Sequence, residues 1–190
     1  MGRLIYAMNV SLDGFVETPD HSLEWATVDE EIHGWWNDQV RTVDASLYGR
    51  RVYELMAAHW PTADDDPATT DVMREFAAIW NPMPKVVFSH TLEQVEHNSR
   101  LVRGDVGDVL AELRGDIAGD LDVAGPDLAG QFIRQGLVDD YRLVVHPVIL
   151  GAGTPFWPEL GTPLPLELVE THRFASGAVY LGYRSAHSDR

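Results

Sequence analysis

Twice in this chain an apolar, β-rich run ends in a glycine at which a helical pattern begins at once: Val43 to Tyr48 into Gly49-Arg50-Arg51, and residues 119 to 124 into Gly125-Pro126-Asp127-Leu128. A strand that feeds straight into a helix rejoins its sheet by a crossover. This points to an α/β fold of three layers, a mostly parallel central sheet with helices on both faces. The first turn of a helix also has unpaired N–H groups and the positive end of the macrodipole, and a glycine there lets an anion approach the backbone. Each turn is therefore a candidate phosphate cradle as well as an ordinary connection. At Gly49 the guanidiniums of Arg50 and Arg51 add bidentate donors, a stronger anion signal than glycine alone.

The other segments fit the same alternation. Residues 3 to 12 read as a strand closed by the turn pair Asp13-Gly14, and 15 to 27 as a loop with one aromatic anchor, Trp25. Val28, Ile32, Trp35, Trp36 and Val40 recur at helical spacing, and Thr27 with Glu30 forms a capping-box pattern. On that reading Glu30 caps the helix, and Asp29 and Glu31 are solvated. The helix after Gly49 carries Val52, Leu55, Met56 and His59 on one side; an acidic loop at 62 to 70 and a helix at 71 to 80 follow. Residues 85 to 89 form a buried-strand pattern ending in Ser89-His90-Thr91, and the C-terminal ends of strands are where open α/β sheets place ligands. A short strand at 101 to 102, helices at 105 to 113 and 126 to 135, and a long strand at 141 to 150 come next. Residues 166 to 174 and 179 to 185 read as an antiparallel hairpin about Ala175-Ser176-Gly177, and the tail at 186 to 190 as frayed. Gly151-Ala152-Gly153 is no dinucleotide fingerprint, because Pro155 and Pro158 replace the helix that should follow.

Charge and composition narrow the function. A formal charge of −16 with only 14 Lys plus Arg argues against a nucleic-acid partner, although a few arginines can still bind a phosphorylated cofactor. The absence of cysteine excludes disulfides, thiolate nucleophiles and cysteine-ligated metals. The run Asp64-Asp65-Asp66 lacks the spacing of a calcium loop, so no metal is expected. The N-terminal apolar run is too short for a membrane span or a signal peptide. We expect a single domain over 1–190, cytoplasmic, without a membrane partner.

Taken in order, Ser11-Leu12-Asp13-Gly14-Phe15, Leu47-Tyr48-Gly49-Arg50-Arg51-Val52-Tyr53-Glu54, Lys85-Val86-Val87-Phe88-Ser89, Val123-Ala124-Gly125, Gly136-Leu137-Val138-Asp139-Asp140-Tyr141 and Pro147-Val148-Ile149-Leu150-Gly151 resemble one family. It is the dihydrofolate-reductase-like superfamily, and within it the reductase (C-terminal) domain of the riboflavin-biosynthesis deaminase–reductase. The resemblance implies a homodimeric, NADPH-dependent reductase of a small-molecule heterocyclic or sugar-imine substrate; for an interface the sequence itself offers the apolar late strands, such as 141 to 150. It implies that Gly49, Arg50, Arg51, Ser89, His90, Thr91, Gly125, Pro126, Asp127 and Leu128 contact the cofactor's phosphates and adenosine, and that Ala7 and Met8 lie along the nicotinamide. The family's acidic residue on the first helix matches Glu30, with Asp29 beside it and Asp13 as second choice. Two departures stand out. The zinc deaminase signature is impossible without cysteine. Pro126-Asp127 removes an N–H donor and adds a negative charge where a phosphate would sit. A pterin reductase of the dihydrofolate type and a non-catalytic NADP-binding module are the alternatives.

Overall fold

Eight strands of the computed structural model, which describes residues 2–186, join in the order β5-β4-β3-β6-β1-β7-β10-β9. These are β1 (Leu4–Ser11), β3 (Val43–Gly49), β4 (Lys85–Phe88), β5 (Ser99–Val102), β6 (Asp120–Ala124), β7 (Asp140–His146), β9 (Leu166–Arg173) and β10 (Val179–Ser185). All neighbours from β5 to β7 are parallel, and β10 runs antiparallel to both β7 and β9. The expected mixed sheet with a C-terminal hairpin is therefore present. Two short strands, β2 (Phe15–Glu17) and β8 (Thr154–Pro155), pair antiparallel as a separate ribbon. Of the frayed tail expected at 186 to 190, all but Ala186 lies outside the described residues.

Period-two alternation sorts the strand residues between two cores. On one face Leu4, Tyr6, Val10, Leu47, Val123 and Leu143 pack against α4 (Val106–Asp116) and α5 (Pro126–Arg134). On the other lie α1 (Glu30–Val40), α2 (Arg50–His59) and α3 (Asp71–Trp80). There Ile32 meets Val144 and Tyr180, Trp80 meets Tyr48 and Val87, and Ile79 meets Ile5 and Val43. We call these the α5 face and the α1 face.

Several local expectations are corrected. The N-cap of α1 is Asp29, not Thr27: its Oδ1 accepts from the N–H of Ile32 at 2.9 Å, so Glu30 becomes the first helical residue and has no capping role. Glu31 is not simply solvated, since its Oε2 accepts from the Ala175 N–H at 2.9 Å and ties α1 to the hairpin turn. The acidic loop expected at 62 to 70 begins inside a 3-10 helix, Trp60–Asp65. β7 stops at His146, because Pro147 has no N–H for the ladder. It is paired on both sides, by β1 and β10, and is interior to the sheet.

Candidate active site

Because strands β3 to β7 are parallel to β1, their C-terminal ends share one edge of the sheet, and both glycine turns lie on it. Tyr48 and Ala124 are register partners, so Gly49 and Gly125 follow side by side. A Cβ on Gly49 would lie 3.7 Å from Leu128 Cβ, and one on Gly125 would lie 2.8 Å from Val52 Cγ2. The first turns of α2 and α5, from opposite faces, thus meet in direct contact. Neither helix has a side-chain N-cap bond, and α2 has no acidic residue in its first turn. Two positive helix ends with open N–H groups side by side make a site that favours an anion.

Arg50 stands beside this pair. Its Nη1 donates to Thr91 Oγ1 at 3.0 Å and its Nε to Glu54 Oε1 at 2.8 Å, which holds the guanidinium over the 89–91 turn. Ser89 is buried and its Oγ accepts from the N–H groups of Thr91 and Leu92, at 3.2 and 3.1 Å, so it shapes that turn. His90 at the same turn is exposed. Leu128 is buried and offers the site only its backbone, while Asp127 is exposed and Pro126 partly so. Asp127 thus puts an acidic residue in the first turn of α5, at the same helix start.

Arg51 takes a different course from Arg50. It pairs with Glu17 Oε2 on β2 and lies 3.3 Å from His21 Nδ1. Glu17 is buried and also accepts from Thr154 Oγ1 at 2.5 Å. This polar knot fastens the β2–β8 ribbon to the start of α2. Gly153 is needed beside it, because a Cβ there would lie 2.0 Å from the Glu17 carbonyl oxygen.

Ala7 and Met8 point to opposite faces. Met8 packs into the α5-face core, whereas Ala7 shares the α1 face with Ile5 and, by alternation, with Asn9. Around Asn9 lies a polar group centred on Asn9 and His146, neither of which any motif had singled out. Its Oδ1 accepts from Trp36 Nε1 at 3.2 Å and lies 3.0 Å from His146 Nε2. Trp25 meets the His146 ring edge-on with centroids 5.6 Å apart. Burial pulls the His146 imidazole below its usual pKa, and the Asp29 carboxylate partly offsets this. The only sequence signal was a polar residue inside each of two apolar strands.

Of the three acidic candidates, Glu30 is exposed on the first turn of α1 and Asp29 is its partly buried cap. Asp13 is a staple. Its carboxylate accepts from Ser11 Oγ at 2.7 Å, from the Gly151 N–H at 2.7 Å and from the Leu150 N–H at 3.1 Å. The Ser11 hydroxyl bond and then the two backbone bonds hold its pKa below the usual carboxylate range. A depressed folded-state pKa contributes stability above the unfolded value, about pH 4, which is lost as the pH falls through the folded one. Asp13→Ala should thus lower the melting temperature at neutral pH, and thermal melts down the pH scale should show that deficit shrinking to nothing in acid.

One concavity lies away from this edge. It is a hollow of about 420 Å³ at the start of β4 and β5, between Lys85, His97, Arg100 and Asp116. Lys85 is spoken for there, with Nζ 2.8 Å from the carbonyl oxygens of both Met83 and His97 and 4.1 Å from the Trp80 ring centre. Convergence of donors, rather than volume, selects the strand edge. Among the described residues no group of three or more His, Asp or Glu could hold a metal, and no helix is long and apolar enough to cross a membrane.

A family model for the RibD C-terminal domain matches residues 3–180. Two Bacillus subtilis (strain 168) proteins align over nearly the whole length: the uncharacterized protein YyaP, 30% identical over 95% of this chain and 94% of its own, and the uncharacterized protein YwjB, 28% identical over 95% and 97%. Among solved structures, one from Shewanella sp. PV-4 described as a riboflavin biosynthesis protein superposes with a TM-score of 0.75 at 20% identity, covering 98% of this chain and 100% of that one. The Thermotoga maritima diaminohydroxyphosphoribosylaminopyrimidine deaminase/5-amino-6-(5-phosphoribosylamino)uracil reductase superposes at 0.67 and 16% identity, covering 97% of this chain and 57% of that one.

Proposed function

Since this chain belongs to the RibD C-terminal domain family, we propose that it is an NADPH-dependent reductase of the riboflavin-biosynthesis type, acting on a C=N or C=O group of a heterocyclic or sugar-imine substrate. The observation that carries this reading is the contact between the two uncapped helix starts at Gly49 and Gly125, with Arg50 beside them. That arrangement suits a pyrophosphate or ribose phosphate. NADPH, when bound, supplies the hydride; the chain supplies position and charge. The N–H groups opening α2 and α5 and the Arg50 guanidinium would hold the phosphates. Ser89 shapes the turn from which Thr91 steadies Arg50. Ala7, on the α1 face of β1, would flank the nicotinamide, and Met8, turned into the α5-face core, would not.

Titration with NADPH, followed by tryptophan fluorescence, tests the cofactor half. Arg50→Ala is expected to raise the dissociation constant about tenfold, the loss of one charge-assisted contact, and an unchanged constant would sink the role given to Arg50. The substrate half is tested by NADPH consumption with 5-amino-6-(5-phosphoribosylamino)uracil and with dihydrofolate. Turnover of the first supports the riboflavin-type reading and turnover of the second alone favours a pterin reductase. Tight NADPH binding with neither reaction favours a non-catalytic module.

A further inference from the structure

On the α1 face, Ile32 and Trp35 of α1 pack on Val144 and Tyr180. One step further along those two strands, at Arg142 and Gly182, the face opens into a hollow of about 230 Å³, lined also by Arg3, Arg184, Asp140 and Glu170. Ala7, Arg142, Gly182 and Glu170 are register partners across β1, β7, β10 and β9. Arg142 therefore stands between two residues too small to cover it. A Cβ on Gly182 would lie 2.5 Å from the Tyr180 hydroxyl oxygen, so the glycine leaves the room that this hydroxyl occupies. The rim meets solvent: Glu170 is exposed, and the side chains of Arg3 and Arg184 are 41% and 36% exposed.

Three of the chain's 14 Lys and Arg residues meet here against two carboxylates, in a protein of formal charge −16. Arg3 and Arg184 close on the buried Asp140 from two sides, with Arg3 Nη1 at 2.7 Å and Arg184 Nε at 3.1 Å. That carboxylate is thereby neutralised. Arg142 is placed differently. Its Nη1 donates to the neutral Gln39 Oε1 at 2.9 Å, and among the described residues it forms no ion pair. Asp120 and Asp122, two strands away on β6, feel its charge only at longer range. A guanidinium has five N–H donors and keeps its charge, so a half-buried one with a single neutral acceptor has donors left for whatever enters the hollow. Clefts that bury an organic ligand usually span about 300–1,000 Å³. This one is smaller and suits a small oxyanion, which a guanidinium can bind bidentately.

We propose that the hollow is a second binding site, for a small oxyanion, a phosphate or a carboxylate, held by Arg142 at its floor with Arg3 and Arg184 at its rim. It is separate from the glycine turns, which follow the C-terminal ends of β3 and β6, whereas the hollow lies at the start of β7. It does not rest on the reductase reading.

Nitrogen–proton NMR of the arginine Nε–H groups in the intact protein tests this, with inorganic phosphate and malonate as separate probes at constant ionic strength. Each should shift the Arg142 signal saturably, and the tighter of the two names the source of the oxyanion. Arg142→Gln, followed through the Arg184 signal, should weaken that probe about tenfold or more, the loss of one charge-assisted pair. Gly182→Ala retains Arg142 but pushes the Tyr180 hydroxyl into the hollow; it should weaken the probe to a similar extent, and it decides the matter if Arg142→Gln does not fold. Arg50→Ala, which alters the other proposed anion site, should leave the Arg142 titration unchanged. An Arg142 signal that stays still, that moves equally with chloride, or that loses its response in Arg50→Ala would overturn the site. Unchanged probe affinity in Arg142→Gln or Gly182→Ala would do the same. None of these outcomes depends on whether NADPH binds at the glycine turns.

Discussion

Gly125→Ala is expected to reduce NADPH affinity about a hundredfold and to destabilise the fold by about 1–3 kcal/mol, the usual range for a non-glycine residue held in a glycine-only backbone region. Gly125 has φ +96° and ψ +129°, a conformation that L side chains rarely adopt, and its added methyl would sit 2.8 Å from Val52 Cγ2. The clash and the strain act in the same direction. Relieving either one turns the first turn of α5 away from that of α2, and the proposed phosphate site depends on their contact. Isothermal titration with NADPH and a urea melt measure the two effects separately. Should the variant keep wild-type affinity while losing stability, the glycine serves the turn alone and the cradle lies elsewhere.

The second large effect is a gain in stability. Asp122 lies on the α1 face of β6, in register with Ile5 of β1 and Ser46 of β3. Burial pushes its carboxyl from 3.8 to about 6, against the opposing pull of the Ser46 hydroxyl, 2.5 Å from Oδ1, and of Arg142. A carboxyl whose folded pKa lies above its unfolded value makes the folded state bind more protons between those values. Wild-type stability from this group is therefore highest below about pH 4 and falls as the pH rises to about 6. A gap of about two units corresponds to about 3 kcal/mol, and relaxation around the charge brings the expected cost nearer 2 kcal/mol. Asp122→Asn keeps the shape and an acceptor for Ser46 while removing the ionisation. It should be more stable than wild type by about 2 kcal/mol at pH 7.5 and equal to it at about pH 4. Urea unfolding of both proteins at the two pH values decides. An equal difference at both would show that the charge carries no cost.

How much could be read in advance follows from the range over which each signal acts. Strand β3 into Gly49 and β6 into Gly125 were legible because a strand, a glycine and a helix start are contiguous in the chain. The α/β class, the C-terminal hairpin and the candidate role of Arg50 came from such local patterns. Where two nearby residues compete for one task, the pattern could not choose. Thr27 and Asp29 both suit an N-cap, and backbone geometry gave it to Asp29. Arg50 and Arg51 are chemically alike, yet the turn of α2 sends one to Thr91 and the other to Glu17. Two-residue ribbons such as β8 carry no period to detect.

The sequence by itself determined the layered α/β architecture and the two glycine-marked helix starts, since periodicity and backbone freedom are properties of neighbouring residues. It also set the resemblance to riboflavin-type reductases. The tertiary structure alone decided that those two helix starts touch, that Met8 turns away from Ala7, and that β7 is interior to the sheet. It also brought Asn9 to His146, which are separated by 137 positions. Sheet order and register set these, because parallel pairing joins residues with no local pattern in common.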